Sequence, residues 1–258
     1  MNNFISVLIL AIVQGITEWL PISSSGHLVL FERLLDYKAG LMFDVALHFG
    51  SLMAVFVYFG KEITNILESF FKFDFKSENG KFGLLILVAS IPAGIIGLLF
   101  KRLFEEAFSS LLLVALGFAV TGVFLLIASL DIGTEKKELN FYDSFLVGIA
   151  QAVAIFPGIS RSGATISSGM LLGLSPKEAA KFSFLMTIPA IFGASLVTIG
   201  NNPLPHEMIW ATFVSFIVSL AVMHFLFKLV LSSRKNFRWF GAYTLLLAIV
   251  LGLYLAFF

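Results

Sequence analysis

Near the start of the chain a glutamate, three consecutive serines and a histidine stand within ten positions: Glu18, Ser23-Ser24-Ser25 and His27. Hydroxyl, carboxylate and imidazole are the parts of nucleophilic or acid–base hydrolysis. Past the middle, Pro157-Gly158-Ile159-Ser160-Arg161-Ser162-Gly163 brings a guanidinium among hydroxyls, a set suited to phosphate oxygens. The two stretches are versions of each other. A shift of 137 positions carries Ile22 onto Ile159, Ser23 onto Ser160, Ser25 onto Ser162, Gly26 onto Gly163 and, upstream, Gln14 onto Gln151. Where the copies differ they differ in chemistry: Glu18 falls on Ile155, Ser24 on Arg161 and His27 on Ala164. The chain therefore reads as an internal duplication whose halves complete one composite site.

The elements that must hold these residues lie in a membrane. With 59% hydrophobic and 13% charged residues and a mean hydropathy of +0.97, the chain is too apolar for a soluble domain. Its net charge of +1 gives no reason to expect nucleic acid. The absence of cysteine excludes disulfide and thiol chemistry, and the uncharged stretch before Gly15 does not read as a removable signal peptide.

Six apolar runs have the roughly 20-residue length of a membrane-crossing helix: about 41–60, 82–100, 109–130, 179–200, 208–228 and 239–257. Pro92 and Pro189 fall inside two of them and predict kinks, candidates for a repeat-related pair. The segments that carry the polar stretches are shorter. Phe4 to Val13 and Phe141 to Phe156 reach only about half a membrane before Pro21 or Pro157 stops them. Each reads as a re-entrant helix–loop–helix hairpin, which requires its polar turn to be buried in protein or to face a wet cavity.

The expected fold is thus all-α and polytopic. Six transmembrane helices plus two re-entrant hairpins form one membrane domain, 1–258, with repeats at about 1–130 and 141–258. Three spans per half invert the second repeat, so the hairpins meet near the midplane. Twelve Lys and Arg residues, from Lys61 to Arg238 and excluding Arg161, fall on one face. Only Arg33, Lys38, Lys101 and Arg102 fall on the other. The richer face is expected inside, both termini outside and the site opening outward.

Within the site, Gln14 and Glu18 are four apart on one helix face, and an ionisable group at that depth needs a partner. Ser24 and His27 are three apart, which places hydroxyl and imidazole on one side of a helix starting in the turn. The catalytic candidates are Glu18, Ser24, His27 and Arg161. Gln14, Ser23, Ser25, Gly26, Ser160, Ser162, Gly163 and Thr165 are the substrate-binding candidates. Two helix N-termini aimed at the turns would add positive potential, giving an anion cradle suited to phosphate. Asp44 and His48, four apart on the first span, read equally as pocket lining or as a helix–helix hydrogen bond.

At these residues the chain resembles a known family. Gln14 to His27 is similar to a signature of the form Glu/Gln-x-x-x-Glu leading into Pro-x-Ser-Ser-x-Gly-His. Pro157 to Thr165 is similar to Pro-Gly-x-Ser-Arg-Ser-x-x-Thr, and Phe43 to Gly50 matches the opening of the first span. These are the signatures of the undecaprenyl-diphosphate phosphatases of the bacitracin-resistance type. The resemblance implies hydrolysis of undecaprenyl diphosphate to undecaprenyl phosphate and inorganic phosphate in the bacterial cytoplasmic membrane, recycling the cell-wall lipid carrier and lowering sensitivity to bacitracin. It also implies a divalent cation, Mg or Ca, for which Glu18 and the Gln14 carbonyl oxygen are the candidate ligands; many members carry Glu where this chain has Gln14.

Two mechanisms fit the residues: attack by Ser24 with His27 as base, or activation of water by Glu18 or His27. The same topology would also serve a transporter or flippase of a phosphorylated polyprenyl lipid. Undecaprenyl diphosphate and membrane lipid are the expected partners, and the sequence leaves a homodimer open.

Overall fold

A computed structural model describes residues 3–37, 40–130, 138–198 and 206–257. Among them the regular structure is entirely helical. The first half contains α1 (Asn3–Thr17), α2 (Ser24–Leu34), α3 (Leu41–Tyr58), α4 (Gly60–Phe71), α5 (Glu78–Leu99), α6 (Lys101–Ser109) and α7 (Leu111–Ala128). The second contains α8 (Phe141–Val153), α9 (Arg161–Leu171), α10 (Pro176–Leu185), α11 (Thr187–Thr198), α12 (His206–Leu229) and α13 (Phe237–Phe257). Two single 3-10 turns join the last two helices.

Among the described residues four helices are long and apolar enough to cross a membrane: α5, α7, α12 and α13, the last two with flanking residues. A fifth span is reached if α3 and α4 count as one, but they are bent by 82° at Phe59. The expected run 41–60 therefore stops at Tyr58. Charged Lys61 and Glu62 follow at once, and α4 turns aside as an amphipathic helix ending in the exposed Phe71. The expected run 179–200 is likewise divided. Its helix begins earlier, at Pro176 behind the Ser175 cap, and breaks at Met186. Pro189 explains the break, because it has no N–H to donate to the turn before it. The two prolines are not a matched pair: Pro92 lies within α5, and Pro189 lies in a broken helix of different rank in its half.

At 15 and 13 residues, α1 and α8 extend about 20 Å, too short to cross about 30 Å of hydrocarbon. Each doubles back into an 11-residue helix, α2 and α9. Each short helix packs against a long helix of the opposite half, α1 on α12 and α8 on α5. Both contacts are close enough to exclude a side chain. A Cβ on Gly15 would lie 2.9 Å from the Ser215 carbonyl oxygen, and one on Gly148 would lie 2.4 Å from that of Ala89. Small residues at such crossings permit the close packing on which helix association in lipid depends. The α7–α13 pair closes the bundle, and the main apolar core gathers around Trp19, Phe184 and Met170 next to the two turns.

Candidate active site

The two polar turns are built alike. Ser23 caps α2 by accepting from the Gly26 N–H at 3.2 Å, and Ser160 caps α9 by accepting from the Gly163 N–H at 3.0 Å. Ser23 Oγ stands 3.2 Å from Ser25 Oγ, and Ser160 Oγ stands 3.2 Å from Ser162 Oγ. These serines are thus engaged in shaping the turns, with Ser23 and Ser160 each satisfying a donor that a helix start leaves free. Gly26 is fixed by its neighbour, since a Cβ there would fall 2.5 Å from the Phe118 ring. The turns differ in where the chain reverses: Ser23 holds φ 71° in the first, Gly158 φ 83° in the second.

The turns also touch. Ser162 Oγ donates to the Leu20 carbonyl oxygen at 3.0 Å, and a Cβ on Gly163 would lie 3.3 Å from the Pro21 carbonyl oxygen. Across this contact Arg161 donates through Nη2 to Glu18 Oε1 and through Nη1 to Thr187 Oγ1. Its guanidinium also lies 5.9 Å from the centre of the Trp19 ring, within cation–π range. Two of the five guanidinium N–H groups have these partners, which leaves others for a ligand.

Glu18 is 5% exposed and is surrounded by donors. Besides Arg161, its Oε2 accepts from Ser24 Oγ at 2.6 Å and from Gln14 Nε2 at 2.9 Å, and His48 Nε2 lies 3.5 Å away. Gln14 Nε2 also reaches Ser51 Oγ at 3.5 Å, and Ser51 Oγ lies 3.2 Å from Ser215 Oγ on α12. Of the residues singled out in the sequence, Gln14, Glu18, Ser24 and Arg161 are therefore joined directly, with His48 beside them.

His27 is placed otherwise than its spacing suggests. Its Nδ1 lies 2.7 Å from the Ser23 carbonyl oxygen and its Nε2 lies 2.8 Å from the Tyr243 hydroxyl. The hydroxyl of Ser24 instead faces Glu18. Thr165 serves α9 itself, donating to the Arg161 carbonyl oxygen at 2.8 Å, and lies 2.6 Å from Ser183 Oγ.

Thr187 and Tyr243 were not singled out in the sequence. Thr187 stands at the start of α11, where the polar Ser183 and Thr187, four apart and just before Pro189, are a readable sign of a broken helix facing something polar. Tyr243 carries no such sign among the apolar residues of α13.

The second copy of the glutamine is unpartnered. Neither amide atom of the buried Gln151 has a hydrogen-bond partner among the described residues, and Ile155 occupies the place that would match Glu18. On a divalent cation, no group of three or more His, Asp or Glu side chains gathers among the described residues. The site offers the Glu18 carboxylate and the unpartnered buried acceptor Gln14 Oε1, and Asp44, one turn before His48 on α3, has a second unpartnered buried oxygen, Oδ1. That set fits a cation bound mainly by phosphate oxygens, as magnesium commonly is.

Comparison with known proteins gives the site a context. The chain is 43% identical over 267 residues to an undecaprenyl-diphosphatase of Caldicellulosiruptor bescii, covering 99% of this chain and 98% of the relative. It is 42% identical over 253 residues to that of Moorella thermoacetica, covering 95% of each. It is 37% identical over 276 residues to that of Methanosphaera stadtmanae, covering 97% of this chain and all of the relative. The family model for the bacitracin resistance protein BacA matches residues 7–250, and with it the turns that carry Glu18, Ser24 and Arg161, so the chain belongs to the BacA family.

Proposed function

We propose that this chain hydrolyses undecaprenyl diphosphate to undecaprenyl phosphate and inorganic phosphate, recycling the cell-wall lipid carrier and lowering sensitivity to bacitracin. Its relatives are named for that activity, and its family for that resistance. The observation that carries the reading is Ser24 Oγ hydrogen-bonded to Glu18, opposite Arg161, where two helices begin.

In this reading Ser24 Oγ attacks the terminal phosphorus and Glu18 takes its proton. The bond from that phosphorus to the bridging oxygen breaks, undecaprenyl phosphate leaves, and water then cleaves the phosphoserine. The remaining N–H groups of Arg161 and the amide ends of α2 and α9 hold the phosphoryl oxygens as charge spreads over them. Phosphoryl transfer gains most of its rate from such positioning and electrostatic stabilisation. Ser23, Ser25, Gly26, Ser160, Ser162 and Gly163 keep the two turns in register, and Thr165 anchors the start of α9. A divalent cation would be held by Glu18 and the Gln14 carbonyl oxygen and would neutralise diphosphate charge.

The architecture proposed around this chemistry is one membrane domain, residues 1–258. Two inverted repeats, each a re-entrant hairpin followed by three crossings, build it. The crossings are α3, α5 and α7 in the first half and α10 with α11, α12 and α13 in the second. The exchanged packing of α1 on α12 and α8 on α5 supports this, and the basic Arg234-Lys235 turn supports termini outside and a site opening outward.

Transport of the lipid would use the same topology. Purified protein in detergent has no sealed compartments, so release of inorganic phosphate from undecaprenyl diphosphate tests catalysis alone. No release under any divalent cation supplied would overturn the phosphatase reading.

A further inference from the structure

Tyr243 sits on α13, 216 residues from His27, and is 41% exposed, yet its hydroxyl lies against the nearly buried imidazole rather than facing outward. The two rings are stacked at 5.8 Å with 12° between their planes, and Phe118 of α7 meets the imidazole edge-on at 5.3 Å. The chemistry fixes the direction of each bond. A carbonyl oxygen only accepts, so His27 Nδ1 carries the hydrogen given to Ser23; Nε2 of the neutral ring is then an acceptor, and the Tyr243 O–H is its donor. Both ring nitrogens are thereby committed, and neither is committed to Ser24.

The chain of bonds ends at a strained residue. Ser23 holds φ 71°, a region unfavourable for any residue with a Cβ, and its carbonyl is the one that His27 grips. The next residue is Ser24, whose hydroxyl reaches Glu18 at 2.6 Å. We propose that Tyr243 is a positioning residue for the reaction: its hydroxyl fixes the His27 ring, the ring holds the Ser23 carbonyl, and left-handed Ser23 aims Ser24 Oγ at Glu18. This rests on the phosphatase reading for its kinetic consequence, but not for the bond itself.

Two measurements on the full chain in detergent test it, both with Tyr243→Phe, which keeps the ring and removes only the donor. In phosphate-release assays kcat should fall by about five- to tenfold, the worth of one hydrogen bond, with KM for undecaprenyl diphosphate nearly unchanged. An unaltered kcat, or a loss carried by KM, would overturn the proposal. In 15N spectra of histidine-labelled protein, with His27 assigned by its disappearance in His27→Asn, the wild type should show a protonated Nδ1 and an unprotonated Nε2. The Nε2 resonance should move in Tyr243→Phe. A protonated Nε2 in the wild type at neutral pH, or no movement in the variant, would also overturn it. If the wild type releases no phosphate, the phosphatase reading falls, while the spectra still decide the Tyr243–His27 bond.

Discussion

Ser24 Oγ donates to Glu18 Oε2 at 2.6 Å, six residues back and across the turn from it, while His27, one helical turn ahead, is occupied by Ser23 and Tyr243. The hydroxyl is therefore paired with the carboxylate and not with the imidazole.

Ser24→Ala should abolish turnover, and wild-type protein quenched early with substrate labelled in its terminal phosphate should carry label on Ser24. Direct attack by water would instead leave the alanine variant within roughly tenfold of wild type, the cost of one lost binding hydrogen bond. A substantially active Ser24→Ala protein, with nothing trapped, would exclude the covalent route.

Arg161 bridges Glu18 and Thr187 through two different nitrogens, a span that a single ammonium cannot reproduce. Arg161→Lys should lower kcat by roughly a hundredfold or more, in the range seen when a transition-state donor is removed. Near-native turnover would show that charge alone suffices there.

Glu18→Gln removes the negative partner of a largely buried guanidinium, and breaking such a pair costs about 3–5 kcal/mol. The variant should lose activity and also melt at a lower temperature in detergent. Glu18→Gln with Arg161→Met should recover part of the lost stability with none of the activity. Equal melting temperatures for wild type and Glu18→Gln would contradict the assignment of Glu18–Arg161 as a buried pair.

Gly158 holds φ 83° against α7, and a Cβ there would stand 2.2 Å from the Val114 carbonyl oxygen. Backbone on both sides leaves no flexible side chain to give way. Gly158→Ala should therefore destabilise by at least about 1–3 kcal/mol, read as a lower melting temperature or loss of monodisperse protein. Gly193→Ala, which meets nothing within 4 Å, is the matched control and should behave as wild type.

Orientation is open to labelling because the chain has no cysteine. Ser109→Cys, at the end of α6, should react with an impermeant thiol reagent added to intact cells, and Ser232→Cys, in the turn before α13, should react only after lysis. The reverse pattern would invert the proposed topology.

The composite nature of the site was legible in the sequence because duplication places unlike residues at matched positions. Glu18 over Ile155 and Ser24 over Arg161 announced halves that complete each other, and the structure joins Glu18 to Arg161. The short lengths of α1 and α8 were legible from the prolines that end their apolar runs. The partner of Ser24 was not, because a three-residue spacing describes a regular helix and Ser23 leaves that geometry at φ 71°. Nor was the bend at Phe59, since apolar residues continue across it and only the charges beyond mark the change of direction. Tyr243 was invisible for a further reason: its meaning lies in a contact across 216 positions, and nothing in α13 itself sets it apart.

The Glu18–Arg161 pair also bears on how the protein is made. The carboxylate leaves the ribosome 143 residues before its guanidinium. Throughout that interval the first half carries the carboxylate without the guanidinium that pairs with it. The ion pair can therefore close only after the second turn has been synthesised, and until then the contacts of Glu18 within its own half are those with Gln14, Ser24 and His48.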